Sequence, residues 1–200
     1  ASGEATGFRM NVDGRKGSSF NNVGILANDS MYVFVEVTVD PNGGNQPLLI
    51  QDSVLFTVNG IRQSVLLEAY GQDVNLYKGG VTITKDSILT ANRPYLIYDS
   101  LVIAKGVSLN IEKGATFYMH DKASLIVHGS MNALGTLDEP ITFRGDRLDY
   151  ILNDILPYDR TPGQWGGITF KADSYGNVWD NVIVRNGTSG VYCELSTPDR

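Results

Sequence analysis

Cysteine is almost missing from this chain of 200 residues: Cys193 stands alone, so no internal disulfide framework holds the fold. Basic clusters are missing as well. With 16 Lys and Arg against 22 Asp and Glu, the formal net charge is −6, which argues against a nucleic acid or an anionic membrane as partner, because both require a basic footprint. No apolar run is long enough to span a bilayer: the longest, Met31 to Val39, is interrupted by Glu36 and Thr38. Residues 1–6 show neither the charged start nor the apolar core of a signal peptide, so an export signal is expected on a stretch preceding Ala1. There is no glycine loop of the phosphate-binding type and no Ser, His and Asp set in an order that suggests a triad. What is plentiful is apolar side chain, at 42% against 19% charged, and glycine, at 22 residues. The first suits a chain that buries a real core, the second a fold full of tight corners.

Between Leu101 and Phe143 one small unit repeats: two apolar residues flanking a variable one, closed by a turn rich in Gly, Lys, Asp and Ser. The units are Leu101-Val102-Ile103, Leu109-Asn110-Ile111, Phe117-Tyr118-Met119, Leu125-Ile126-Val127, Met131-Asn132-Ala133 and Ile141-Thr142-Phe143. Side chains alternate along a strand, so each unit buries its outer pair and frees its middle residue. The first four units recur every eight residues, too short a cycle for an ordinary hairpin but right for a chain turning a corner after each short strand. Three corners make a coil, and stacked coils make a parallel β-solenoid around a narrow apolar core. Cys193, two residues after Val191, falls in the inward register and is expected in that core.

The N-terminal part follows other rules. Met31 to Val39 alternates as one long strand, with Met31, Val33, Val35, Val37 and Val39 on one face, and Asp40-Pro41-Asn42-Gly43-Gly44-Asn45 ends it. Phe8 to Val12 precedes it. Val54 to Val58 and Ile61 to Ala69 follow, joined by the hairpin dipeptide Asn59-Gly60. Antiparallel strands of this kind imply a β-sandwich of the immunoglobulin type, of which only a part is present. The chain is expected to begin inside that sandwich and to stop before its solenoid is capped, since Val191-Tyr192-Cys193 has no closing element after it.

Two resemblances follow from these residues. Phe8 through Ala69-Tyr70-Gly71-Gln72-Asp73 is similar to the later strands of immunoglobulin-like modules of bacterial surface proteins. The run from Tyr95 to Gly106, with Leu109 to Gly114, His128-Gly129, Gly135, Ile141 to Arg147 and Pro162 to Ile168, resembles right-handed parallel β-helix surface lipoproteins of Gram-negative gut anaerobes. That resemblance implies export, lipid anchoring and display at the outer membrane or cell surface, with the periplasm as second choice; it implies no reaction. The lipid-bearing cysteine of such proteins has no counterpart, so any anchor lies outside this chain. Asp29-Ser30-Met31, Asp52-Ser53-Val54, Asp86-Ser87-Ile88 and Asp99-Ser100-Leu101 look like the O-glycosylation acceptor of exported proteins in such bacteria, at Ser30, Ser53, Ser87 and Ser100. Asp-Ser is equally a turn pair ahead of a strand, and both readings stand. Asn28-Asp-Ser30 and Asn186-Gly-Thr188 match the N-glycosylation pattern, which carries little weight in a bacterial chain.

The solenoid pattern breaks once, over residues 144–164. Leu148, Ile151, Leu152 and Ile155 recur at helical spacing there, which predicts a short amphipathic helix lying on the solenoid. Tyr150, Tyr158 and Trp165 accompany Asp146, Asp149, Asp154 and Asp159 and Arg144, Arg147 and Arg160. Rings beside carboxylates and guanidinium groups suit a sugar-binding surface, with Tyr150, Tyr158 and Trp165 stacking on C–H faces and Asp159 and Arg160 bonding hydroxyls. The alternative is that the charges pair with one another and the rings pack the insert down; Trp165, among Gly163, Gly166 and Gly167, suits such packing. Arg144-Gly145-Asp146 spells an integrin-type tripeptide, but it follows directly from a strand and is expected to be a solenoid corner.

No catalytic set emerges. Outward positions on successive coils, roughly twenty-odd residues apart, carry no ladder of acidic metal ligands or paired carboxylates. His120 and His128 fall on successive faces of one coil and point apart, so they share no metal. The expectation is an all-β chain without cofactor: residues 1–73 a partial immunoglobulin-like sandwich, 74–94 a connector with an entry strand, and 95–200 a right-handed parallel β-helix with the insert at 144–164. Its expected role is a non-catalytic cell-surface scaffold or adhesion module binding polysaccharide or host glycan. The alternative is the N-terminal part of a polysaccharide lyase or glycoside hydrolase whose catalytic coils lie beyond residue 200.

Overall fold

The structure, a computed structural model, describes residues 6–39, 48–148, 150–152 and 156–195. It is all-β and divides into two units, Ala1–Asp73 and Val74–Arg200. In the first, β1 (Phe8–Val12) lies between β2 (Arg15–Gly17) and β3 (Val33–Val37) in a small antiparallel sheet, and Phe8, Met10 and Val12 are buried by strand alternation. β4 (Leu48–Val58) and β5 (Ile61–Gly71) form a separate antiparallel hairpin. Its turn places Asn59 and Gly60 at φ 51° and 81°, the two left-handed residues that Asn-Gly supplies. The long strand expected from Met31 to Val39 is only Val33–Val37. Its ladder is as long as β1, from Phe8 opposite Val37 to Val12 opposite Val33, and beyond it the Thr38 amide donates to the Gly7 carbonyl at 3.0 Å. As an edge strand it leaves Phe34 and Val35 exposed, not one apolar face buried.

The second unit is a parallel solenoid of about five turns. The first sheet stacks β6 (Asn75–Tyr77), β9 (Tyr95–Ile97), β12 (Thr116–Met119), β15 (Ile141–Gly145) and β20 (Val182–Val184). The second stacks β7 (Val81–Ile83), β10 (Ser100–Ile103), β13 (Ser124–Val127), β18 (Gly167–Phe170) and β21 (Val191–Cys193), and the third β8 (Ser87–Leu89), β11 (Ser108–Ile111), β14 (Ser130–Leu134) and β19 (Val178–Asp180). Parallel strands need a crossover, and here each sheet's crossover is the other two sheets. The triplet register holds: Leu109, Ile111, Phe117, Met119, Leu125 and Val127 are all buried, while Asn110 is exposed and Tyr118 and Ile126 are half-buried.

Residues 74–94 are not a connector. β6, β7 and β8 are the first coil, hydrogen-bonded to β9, β10 and β11. Among the described residues of the insert the expected amphipathic helix does not occur: β16 (Tyr150–Leu152) pairs antiparallel with β17 (Leu156–Pro157), and a single 3-10 turn, Tyr158–Arg160, follows. A proline at 157 biases Leu156 to extended backbone, and a helix this short is unstable without a buried face; Leu148 is in fact exposed. Asp149, Asp154 and Ile155 lie outside the described residues. Cys193 is exposed, not buried. It keeps the inward register, opposite Phe170, but among the described residues β21 has a neighbour on one side only.

Candidate functional site

The insert leaves the first sheet at Gly145 and returns to the second at Gly167, so it fills one corner of the fourth coil. Arg144 on β15 and Arg185 just after β20 are neighbours across the ladder, because Phe143 pairs with Val184 and the Arg185 amide donates to the Phe143 carbonyl at 2.9 Å. Both reach the same carboxylate. Arg144 Nη2 lies 3.2 Å from Asp159 Oδ1, and Arg185 Nη1 lies 2.9 Å from Asp159 Oδ2. Asn186, at φ 64°, donates through Nδ2 to the carbonyls of Tyr158, Asp159 and Thr161 at 3.3, 2.8 and 3.0 Å, and its Oδ1 accepts from the Gly145 amide at 3.3 Å. Gln164 Nε2 donates to two of the same carbonyls, those of Tyr158 and Thr161, at 2.5 and 2.8 Å. The 3-10 turn is therefore tied to the coil that follows it in sequence.

Asp159, Arg160, Thr161, Pro162, Arg185 and Asn186 line an open depression of about 490 Å³ at this corner. Tyr158 is half-buried, with the Arg147 guanidinium 4.0 Å from its ring centre, so one face already carries a cation. Arg160 is exposed. The Tyr150 side chain lies outside what is described. Trp165 cannot offer a stacking face: it is 1% exposed, and its Nε1 donates to the Arg185 carbonyl at 2.7 Å. The next residue is packed as closely: a Cβ on Gly166 would lie 2.1 Å from Ser124 Oγ. Of the five expected glycan contacts the structure thus gathers Tyr158, Asp159 and Arg160 and sends Trp165 to the core.

Arg185 is not among the residues expected at the site from the sequence, and Asn186 enters only through the N-glycosylation pattern, although a signal for both is present. Val182-Ile183-Val184-Arg185 repeats Ile141-Thr142-Phe143-Arg144 one coil on.

The histidines sit on separate corners. His120 Nδ1 donates to Asp146 at 2.6 Å, and its ring centre lies 4.1 Å from that of Tyr98. His128 Nδ1 donates to Asp173 at 3.1 Å, with Lys105 3.7 Å from the same carboxylate. Desolvation pushes the Asp173 carboxyl up, but the hydrogen bond and charge of His128, a backbone amide and the charge of Lys105 outweigh it and hold it below its ordinary value. A hydrogen bond from Lys171 lowers Glu194 in the same way. No group of three or more metal-ligating side chains occurs among the described residues.

The Asp-Ser pairs divide by location. Ser30 is exposed in a loop, Ser53 is half-buried within β4, and Ser87 and Ser100 are half-buried where β8 and β10 begin. Asp86 Oδ1 accepts from the Ser108 amide and Asp99 Oδ2 from the Gly79 amide, both at 2.8 Å, so these two carboxylates cap amides of neighbouring coils. Their turn role is thereby explained. Asn186, with both ends of its amide engaged, has no free nitrogen for an N-linked sugar.

No protein-family model matches the chain, and no solved structure matches it. Over 104 residues it is 31% identical to Protein bark beetle of Drosophila melanogaster, a stretch that covers 50% of this chain. The chain spans about 3% of the length of that relative, so the similarity brings no activity or partner with it.

Proposed function

We propose that this chain is a non-catalytic surface module that holds glycan in the depression between the insert and the fourth and fifth coils. The observation that carries the reading is the set of residues lining it, which brings a half-buried carboxylate, two exposed guanidinium groups and Thr161 together on a stacked support. Sugar hydroxyls require such a mixture of donors and acceptors. Tyr158 supplies the neighbouring apolar edge.

The wider proposal is that the solenoid is right-handed, the usual hand of parallel crossovers, and that the small antiparallel sheets of residues 1–73 belong to an immunoglobulin-like sandwich. The protein is exported and displayed on an outer membrane through a lipid anchor outside this chain, with Ser30, the exposed member of the four Asp-Ser pairs, as the readiest O-glycosylation acceptor. A glycan array with the 200-residue chain tests the central claim. Retention of a defined set of glycans is expected; retention of none overturns it. A reducing-end assay on every retained polysaccharide then separates a binding module, which releases nothing, from the alternative of a polysaccharide-degrading enzyme.

A further inference from the structure

We infer that the glycan taken by this corner is acidic, and that Arg160 and Arg185 bind its carboxylate or sulfate group. The inference rests on the glycan reading above and names the chemical class of the ligand. The chain carries a net charge of −6, yet here Arg144 and Arg185 share a single carboxylate, Asp159, and Arg160 lines the same depression. Asp159 is committed to Arg144 on its inner side, where that side chain is 20% exposed, and to one end of the Arg185 guanidinium on its outer side. Its charge is spent within the protein. Arg185 keeps half its side-chain surface in solvent, and Arg160 has no ion-pair partner among the described residues. Both line the depression.

A guanidinium presents paired N–H donors that match the two oxygens of a carboxylate or a sulfate ester, and such charge-assisted bonds are about twice as strong as neutral ones. A neutral sugar offers these donors only hydroxyl acceptors, which form the weaker neutral-acceptor bonds. An acidic residue supplies a charged acceptor and keeps the bridge to Asp159 intact.

The test is affinity gel electrophoresis of the chain through polygalacturonate, fully methyl-esterified polygalacturonate, dextran sulfate and neutral dextran. Retardation by polygalacturonate or dextran sulfate, weakening as salt is raised, is expected, with little by the esterified or neutral polymers; which charged polymer acts identifies carboxylate or sulfate as the source. Loss of a charge-assisted bond in R160A is expected to weaken that retardation about tenfold, or about 1.4 kcal/mol. R160K, which keeps the charge without the fork, recovers part of it. Because Arg160 is exposed, R160A keeps the wild-type unfolding midpoint, so lost retention cannot be ascribed to misfolding. Equal retardation by charged and esterified polymers, or R160A binding as wild type does, overturns the acidic-ligand inference and leaves glycan binding standing. Retardation by none of the four, together with an empty array, overturns both.

Discussion

Phe143 lies flat on Phe117, ring centres 4.6 Å apart and planes 15° apart, although a full coil of chain separates them. Tyr95 continues the column below Phe117 at 4.8 Å, and all three rings share the inward register of the first sheet. Adjacent parallel strands are about 4.8 Å apart, so a ring repeated at one register position stacks on its predecessor at nearly contact distance. Replacing Phe117 with Ala removes the middle of the column and is expected to cost about 3–5 kcal/mol. Asn110→Ala, which loses one exposed bond from Asn132 at 3.1 Å, is expected to cost less than about 1 kcal/mol. Denaturant titration of both compares them; equal losses would contradict the register.

Gly129 tests how tightly the coils turn. A Cβ there would lie 2.1 Å from the Val107 carbonyl oxygen and 2.6 Å from that of Ala104, both backbone atoms of the preceding coil. Gly129→Ala therefore forces the backbone apart, at an expected cost of about 1–3 kcal/mol. A thermal midpoint unchanged from wild type would show that the corner is looser than its geometry says.

Asn186 is the tie between insert and coil. Asn186→Ala leaves several part-buried carbonyls short of a donor, worth about 1–3 kcal/mol. Asn186→Asp is expected to be worse, since its carboxylate would face the carbonyls of Tyr158, Asp159 and Thr161. Hydrogen exchange at the Thr161 amide, which donates to the Tyr158 carbonyl at 2.9 Å, reads the release of the turn directly. Slow exchange in both variants would mean that Gln164 alone holds it.

Acid is expected to loosen the corner after the second sheet. Asp173 and Glu194 are both held below their ordinary values of 3.8 and 4.5, so the folded state binds their protons less readily than the unfolded chain does. Their stabilisation is complete above those ordinary values and is lost as pH falls through the lower folded ones. Thermal midpoints measured from pH 6 down to about 3 should fall less steeply in the D173N/E194Q variant than in wild type. Parallel curves would remove these two carboxylates from the acid sensitivity.

Cys193 is expected to react with a maleimide in the native 200-residue chain, because its strand has a neighbour on one side only among the described residues. Labelling only after denaturant is added would place the thiol in the core.

Local alternation is legible wherever the chain supplies its own period. Phe8–Val12, the Asn59-Gly60 hairpin and the six triplets from Leu101 to Phe143 could be placed from residue order, since strand faces depend only on neighbours two apart and turns on the dihedral preferences of one or two residues. The first coil is not legible in residue order because its strands, Asn75–Tyr77, Val81–Ile83 and Ser87–Leu89, place Asn75 and Ser87 where later coils place apolar residues. Only pairing with β9, β10 and β11 identifies them.

The insert marks the other limit. Residue order placed Tyr158, Asp159 and Arg160 together, because they are adjacent, but it could not say which side chains hold them. That depended on register one coil away: Arg185 falls beside Arg144, and Asn186 within reach of the Gly145 amide, only once β20 is stacked on β15. The same stacking turned Trp165 inward and left Cys193 bare. Sequence alone determined a repeating strand-and-corner chain with a narrow apolar core; tertiary structure decided where the charges of the insert meet, because those contacts are made between coils and no local preference encodes them.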